Sequence, residues 1–223
     1  MASIPIPSVA AAFAAWQHGA MTQSVDLRVV ELLASRLCHE LIGPVAAIGN
    51  GVELLADEAP DFVREAIALV DDSAKKANVR LQFYRFTYGF SGGGLAGPPP
   101  HLLALDLFAD SAIACDYGAA ARTLPLEQQK LACAMLVTAG EALPRGGRLA
   151  VDVEADAPRI VAAGDGGGLS PQIRAALALA APVAELTSRT VGGYFAGLLA
   201  AALGRRLLVA DRPGGFALSA VTE

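Results

Sequence analysis

The sequence predicts an α+β protein: an antiparallel helical hairpin that pairs with a second copy as a dimeric four-helix bundle, followed by an α/β sandwich. Three observations predict this fold class. The first half of the chain carries two long stretches of helical periodicity. The glycine- and proline-rich segment "GFSGGGLAGPPP", residues 89–100, then interrupts the pattern and is typical of a linker. After it, helices and mostly antiparallel strands follow in an order that favours an α/β sandwich.

Composition and charge argue against several classes of protein. Of the 223 residues, 54% are hydrophobic and 17% are charged, which predicts a folded chain. The net charge of -5 argues against nucleic acid as the main partner. The longest apolar run, "YFAGLLAAALG", is too short to span a bilayer, so we expect no membrane partner. The first residues lack the basic segment of a secretory signal, and the three cysteines have no paired spacing. We therefore expect a cytoplasmic protein with reduced thiols.

The first helix is predicted from Leu27 to about Ala56. The acidic segment 57–61 ends its pattern, and Pro60 is well placed to begin a second helix that runs to about Tyr88. Because the connection is short, the two helices should form an antiparallel hairpin. A single hairpin buries only one side of each apolar face, so we expect a homodimer. The apolar face of the first helix, at spacings of three and four, is Leu33, Leu37, Leu41, Pro44, Ile48, Val52 and Leu55.

His39 lies in the middle of the first helix, within the stretch "CHELIGPV". At about 100° per residue it is roughly 190° from the centre of the apolar face, so its side chain should point to solvent. Gly43 in mid-helix costs about 1 kcal/mol relative to alanine, which a closely approaching partner protein would explain. Pro44 removes a backbone hydrogen bond and should bend the helix beyond His39. We therefore predict a partner-binding surface beside His39, made of Arg36, Gly43, Pro44, Ala46, Ala47 and Asn50.

The segment "HELIGP", on a long helix followed by a hairpin, resembles the H-box of two-component histidine kinases. In that family the histidine accepts a phosphoryl group on a ring nitrogen, and the dimeric hairpin is the dimerisation and phosphotransfer domain. The resemblance implies that His39 is the phosphoacceptor. Glu40 would orient His39 or assist proton movement, although it could also be an ordinary surface carboxylate. His18 and His101 lie outside the hairpin and are expected to have no part in the chemistry.

Three segments of the second half resemble the ATPase domain of these kinases. "AGEALPRGGRLAVDV" is similar to the end of its first long helix and the following strand, "AAGDGGGL" to its first glycine box, and "VGGYFAGLLAAALG" to its second. In this half we predict helices at residues 105–115, 126–142, 171–181 and 191–203, and strands at 120–124, 148–154, 158–163 and in a terminal hairpin over 205–221.

The same domain departs from the kinase pattern at the nucleotide site. A kinase holds magnesium and phosphates with an asparagine on the first helix, where this chain has Thr138. It binds the adenine amino group with an aspartate, where this chain has Gly164 and an aspartate one residue later. The segment between the glycine boxes is short and lacks a lid rich in glycine and basic residues. We therefore expect no ATP site and no autokinase activity, and the glycines 166–168 are more simply a turn.

An intact phosphoacceptor hairpin on a degenerate ATPase-like domain resembles the ChpT-type histidine phosphotransferases of alphaproteobacterial phosphorelays. The resemblance runs from about residue 27 to the C-terminus and implies a dimeric cytoplasmic shuttle in a cell-cycle phosphorelay. Such a shuttle takes phosphate from the receiver domain of a CckA-like hybrid kinase and passes it to CtrA-like and CpdR-like response regulators. The predicted divisions are an unassigned segment 1–24, a phosphotransfer and dimerisation domain 25–88, a linker 89–100 and a degenerate ATPase-like domain 101–223.

The chemistry expected of this chain is modest. A free imidazole has a pKa of about 6.5, so one ring nitrogen is available as a nucleophile near neutral pH. The receiver would supply the reacting aspartate, Mg²⁺ and a lysine, so this chain needs no cofactor or metal of its own. Two other functions stay open. One is an active sensor histidine kinase with a diverged ATP site, and the other is a receiver-binding module in which His39 carries no phosphate.

Overall fold

The structure is a computed structural model that describes residues 25–55, 60–89 and 97–222. The segment 1–24 with His18, most of the acidic turn and most of the predicted linker lie outside the described residues.

Two long helices form the predicted hairpin. Helix α1 spans Leu27–Leu54 and helix α2 spans Pro60–Tyr88, so Pro60 does begin the second helix. Gly51 of α1 packs against Val70, and Glu40, three turns earlier, contacts Tyr84. Because an earlier residue of α1 meets a later residue of α2, the two helices run antiparallel. A Cβ on Gly51 would lie 2.6 Å from the Val70 side chain, so glycine is what lets the helices approach there.

The second half is an α/β sandwich built on one five-stranded sheet of order β1-β2-β3-β5-β4. Strands β1 and β2 are parallel, and the other neighbouring pairs are antiparallel. Together with the hairpin, this arrangement confirms the predicted α+β fold of a helical hairpin followed by an α/β sandwich. In chain order, the elements are α3 (Pro100–Phe108), β1 (Ile113–Tyr117), α4 (Leu126–Glu141), β2 (Gly147–Glu154), β3 (Ala157–Ala163), α5 (Pro171–Leu177), α6 (Val191–Ala202), β4 (Arg205–Arg212) and β5 (Gly215–Thr222).

The first strand of this sheet was wrongly predicted. Helix α3 ends at Phe108 and does not continue to residue 115, because the Ser111 hydroxyl donates to the Phe108 carbonyl at 2.8 Å and accepts from the Ile113 amide at 3.1 Å. The strand is therefore Ile113–Tyr117, which pairs in parallel with β2. The predicted strand 120–124 is instead a short 3₁₀ turn. Helix α5 also ends earlier than predicted, at Leu177.

The hydrophobic core joins the hairpin to the sandwich. Helix α4 is its centre, buried at every position from Gln129 to Gly140. Phe83 and Tyr84, near the end of α2, belong to the same buried cluster as Leu131 of α4. Val29, near the start of α1 and so at the same open end of the hairpin, packs with Val191 of α6 in a second, smaller cluster. The second domain therefore lies against one side of the hairpin, next to the turn of α1 that carries His39.

Candidate functional site

The structure places His39 on the open side of α1. Its side chain is 86% exposed, in agreement with the orientation predicted from helical periodicity. The Nδ1 atom lies 4.0 Å from Oε1 of Glu40. A ring this exposed can be reached by a reactive group on another protein.

Glu40 is half-buried and is held by the second helix. Its Oε2 atom accepts a hydrogen bond from the Tyr84 hydroxyl at 3.3 Å and lies 3.9 Å from Nε of Arg80. Burial and the negative charge of Glu40 raise the pKa of Tyr84, so its hydroxyl keeps its proton and remains a donor. One carboxylate oxygen of Glu40 is thus engaged by α2, and the other faces His39. Tyr84 lies 44 residues beyond Glu40 in the chain, so no local sequence pattern indicates this contact.

His39 opens onto a cleft of about 900 Å³ between α1 and the second domain. One wall is α1. The opposite wall is formed by the end of α4, the start of α5 and the segment that leads into α6. The lining residues are Ser35, Arg36, His39 and Glu40 on one side, and Glu141, Ser170, Gln172, Ile173, Glu185, Thr187, Ser188, Arg189 and Thr190 on the other.

Arg36 is not the exposed partner-binding residue that the sequence predicted. It is only 6% exposed, and its guanidinium forms an ion pair with Glu141 through Nη2. Its Nη1 donates to the Ser188 carbonyl at 3.1 Å. Burial lowers the pKa of Arg36, but the charge and hydrogen bond of Glu141, together with Tyr88 and Tyr84, more than offset burial and raise it, so the guanidinium stays charged. The second domain covers this side of α1, which the periodicity of the hairpin alone could not show, since Glu141 lies 105 residues further along the chain.

The other predicted partner-binding residues divide by exposure. Gly43, Ala46 and Asn50 are exposed, and Ala47 is half-buried. Pro44 is buried in helix α1, so it does not lie on the exposed partner-binding surface that the sequence predicted beside His39. A Cβ on Gly43 would have no neighbouring atom within 4 Å among the described residues. The chain's own packing therefore gives no reason for this glycine, and close approach of a partner stays a prediction.

The glycine loop of the second domain, residues 164–168, packs against residues at the end of α4. Added Cβ atoms on Gly164 and Gly167 would lie 3.1 and 2.8 Å from Cδ2 of Leu143. The Gly168 amide donates to the Ala142 carbonyl at 3.1 Å. On α4, the Thr138 hydroxyl is buried and donates to the Ala134 carbonyl at 3.1 Å. The loop is thus closed around a leucine side chain, and the threonine hydroxyl is turned back onto its own helix.

Comparison with known proteins decides the family. Residues 101–213 match the family model described as the histidine phosphotransferase C-terminal domain. The protein phosphotransferase ChpT of Brucella abortus (strain 2308) is 34% identical over 185 residues, which cover 80% of this chain and 88% of that protein. The chain belongs to the ChpT-type histidine phosphotransferases. It is therefore a phosphotransferase, as the resemblance of its sequence implied.

A solved structure agrees with this assignment. The 1.7 Å structure of a bacterial phosphotransferase is 32% identical to this phosphotransferase and superposes with a TM-score of 0.74, over 89% of this chain and 98% of that chain. The histidine kinase domain from the Erythrobacter litoralis EL346 blue-light activated histidine kinase is 14% identical with a TM-score of 0.39, over 80% of this chain and 94% of that chain. The second value is too low to support any further conclusion.

Proposed function

We propose that this phosphotransferase carries the phosphoryl group on His39 and shuttles it between receiver domains in a bacterial phosphorelay. The observation that supports the proposal best is the position of His39, 86% exposed at the mouth of a cleft with walls from both halves of the chain. The donor would be the receiver domain of a CckA-like hybrid histidine kinase. The acceptors would be receiver domains of CtrA-like and CpdR-like response regulators in a cell-cycle pathway of the cytoplasm.

The transfer step needs little from this chain beyond an oriented imidazole. Because Nδ1 of His39 faces Glu40, we assign Nε2 as the nucleophile. Its lone pair forms the N–P bond while the bond between phosphorus and the receiver's aspartate oxygen breaks, and the aspartate leaves as a carboxylate. Glu40, fixed by Tyr84, orients the ring and can accept the Nδ1 proton. Mg²⁺ and a lysine of the receiver would neutralise the phosphoryl charge.

The reverse step uses the same geometry. A receiver aspartate attacks the phosphohistidine, the N–P bond breaks, and the proton returns to the imidazole. No ATP is expected to bind, because the glycine loop is closed around Leu143 and the Thr138 hydroxyl is engaged within its own helix. This proposal leaves the second domain without a nucleotide-dependent role.

We further propose that the phosphotransferase is a homodimer. An apolar seam runs along the hairpin, formed by side chains that are more than half exposed: Leu27, Val30, Ile42, Val45 and Val52 on α1, and Phe62, Ile67 and Leu81 on α2. Such a seam is the unpaired face of a four-helix bundle, and a second hairpin would cover it.

A membrane is the other way to cover the seam. By length and composition α1 could cross a bilayer, with a mean hydropathy of 1.2 over an 18-residue window. However, α2 packs along α1 and carries two ion pairs, Lys75 with Asp71 and Lys76 with Asp72. A membrane position would place these charges in or beside hydrocarbon, which is costly. A second copy is therefore the occupant we propose.

The test is a two-step transfer assay. A receiver domain labelled with radioactive phosphate is mixed with the wild-type chain, and a second, unlabelled receiver is then added. We expect acid-labile label on the chain, its passage to the second receiver, and no label on His39→Ala, whose exposed side chain can be truncated without a cavity. Binding without label would favour the receiver-binding module, and self-labelling from Mg-ATP would favour a sensor kinase.

A further inference from the structure

The ion pair between Arg36, which is buried, and Glu141, whose side chain is 40% exposed, joins the phosphoacceptor helix to the second domain at the cleft. Arg36 precedes His39 by three residues, less than one helical turn. Its guanidinium holds two separate segments of the opposite wall: the end of α4 through Glu141, and the segment before α6 through the Ser188 carbonyl. Both segments line the cleft onto which His39 opens.

The surroundings of Arg36 are built to accept a charged group. A Cβ on Gly192, in the first turn of α6, would lie 3.3 Å from the guanidinium carbon, so a glycine there leaves the room that the guanidinium occupies. The N-terminal end of a helix carries partial positive charge, which repels a cation. Glu141 supplies the negative charge that makes this position favourable.

We propose that Arg36 and Glu141 are positioning residues for phosphotransfer, whose ion pair fixes the second-domain wall of the cleft relative to His39. The proposal rests on the proposed function, in which His39 is the phosphoacceptor. A receiver that reaches His39 enters this cleft, so the position of the far wall affects how its aspartate is aligned with the imidazole. In-line transfer is sensitive to such alignment, and a displacement of about 1 Å can cost about 100-fold in rate.

Other contacts keep the two halves together without this pair. The rings of Tyr88 and Phe195 lie 5.2 Å apart, and Nζ of Lys130 donates to the Gly89 carbonyl at 2.6 Å. Nearer the start of α1, Arg28 donates to the carbonyls of Val183 and Leu186, each at 3.2 Å. Loss of the Arg36–Glu141 pair should therefore loosen the cleft and leave the second domain attached.

The experiment separates alignment from the reactivity of the imidazole. Full-length Arg36→Met, Arg36→Lys and Glu141→Gln are compared with wild type in single-turnover transfer from a phosphorylated receiver over a range of receiver concentrations. The same proteins are labelled with phosphoramidate, a small donor that needs no receiver. Arg28→Met is the matched control, because it removes another arginine that joins α1 to the second domain, but one that does not line the cleft.

We expect the limiting rate of transfer to fall about tenfold or more in Arg36→Met and Glu141→Gln, while phosphoramidate labelling stays within about twofold of wild type. Arg36→Lys, which keeps the charge, should be intermediate, and Arg28→Met should match wild type in both reactions. If Arg36→Met does not fold, Arg36→Lys and Glu141→Gln decide the question.

Three results would overturn the proposal: normal transfer by the folded variants, an equal loss in both reactions, or an equal loss in Arg28→Met. A wild-type chain that takes no phosphate from any receiver would instead reject the proposed function, and this is seen before any variant is compared.

Discussion

The apolar seam predicts that a single charged substitution will dissociate the dimer and leave each protomer folded. Ile42 and Val45 are 68% and 56% exposed. Since full burial of such a side chain is worth about 1.5–3 kcal/mol, covering the exposed part should contribute about 1–2 kcal/mol for each residue. Because the dimer would be twofold symmetric, the substitution occurs twice in the interface, so Ile42→Glu should weaken dimerisation by at least about 2–4 kcal/mol. This corresponds to roughly 30- to 1,000-fold in the dissociation constant.

Sedimentation equilibrium over a range of protein concentrations measures this constant. Ala68→Glu is the matched control, because it adds the same charge to an exposed position of α2 outside the seam. Circular dichroism should show unchanged helix content in Ile42→Glu, since the residue makes little contact within its own chain. The reasoning fails if Ile42→Glu dimerises as tightly as wild type, or if the wild-type chain is a monomer at every concentration tested.

Three other predictions concern the surface beside His39, the nucleotide site and the packing of the two helices of the hairpin. Ala46→Trp, at an exposed position one to two turns from His39, should block receiver-dependent transfer by steric clash while keeping the melting temperature; a normal transfer rate would mean that the receiver docks elsewhere. Calorimetry with Mg-ATP should show no binding, and micromolar affinity would revive the kinase interpretation. Gly51→Ala should destabilise the chain by about 1–3 kcal/mol, because its Cβ would meet the Val70 side chain. Gly43→Ala would meet no such atom and should stabilise the chain by up to about 1 kcal/mol. Equal shifts in melting temperature for the two variants would contradict this packing.

The features that could be predicted from the sequence are those that depend on residues close together along the chain. The hairpin and the exposure of His39 follow from a period of 3.6 residues, which is a local property, and both agree with the structure. Strand β1 was missed because it is defined by pairing with β2, 34 residues further along the chain (Ile113 with Gly147). Arg36 was misplaced because Glu141 is remote in sequence, and no local pattern indicates that a second domain covers that side of α1.

The roles proposed for helix α1 lie on different sides of it, which gives a way to separate them. Arg36 and Ile42 each lie three residues from His39, yet one is buried against the second domain and the other is exposed on the apolar seam. Substitution of Arg36 should therefore slow transfer in an intact dimer, and substitution of Ile42 should dissociate the dimer. If transfer occurs within one protomer's cleft, the Ile42→Glu monomer should still be labelled by a phosphorylated receiver. If the partner protomer contributes to receiver docking, transfer should fall in parallel with dimerisation, and phosphoramidate labelling of His39 should not. Measuring both reactions at protein concentrations above and below the dissociation constant of the dimer therefore determines whether one protomer's cleft is sufficient for transfer or the dimeric bundle is needed.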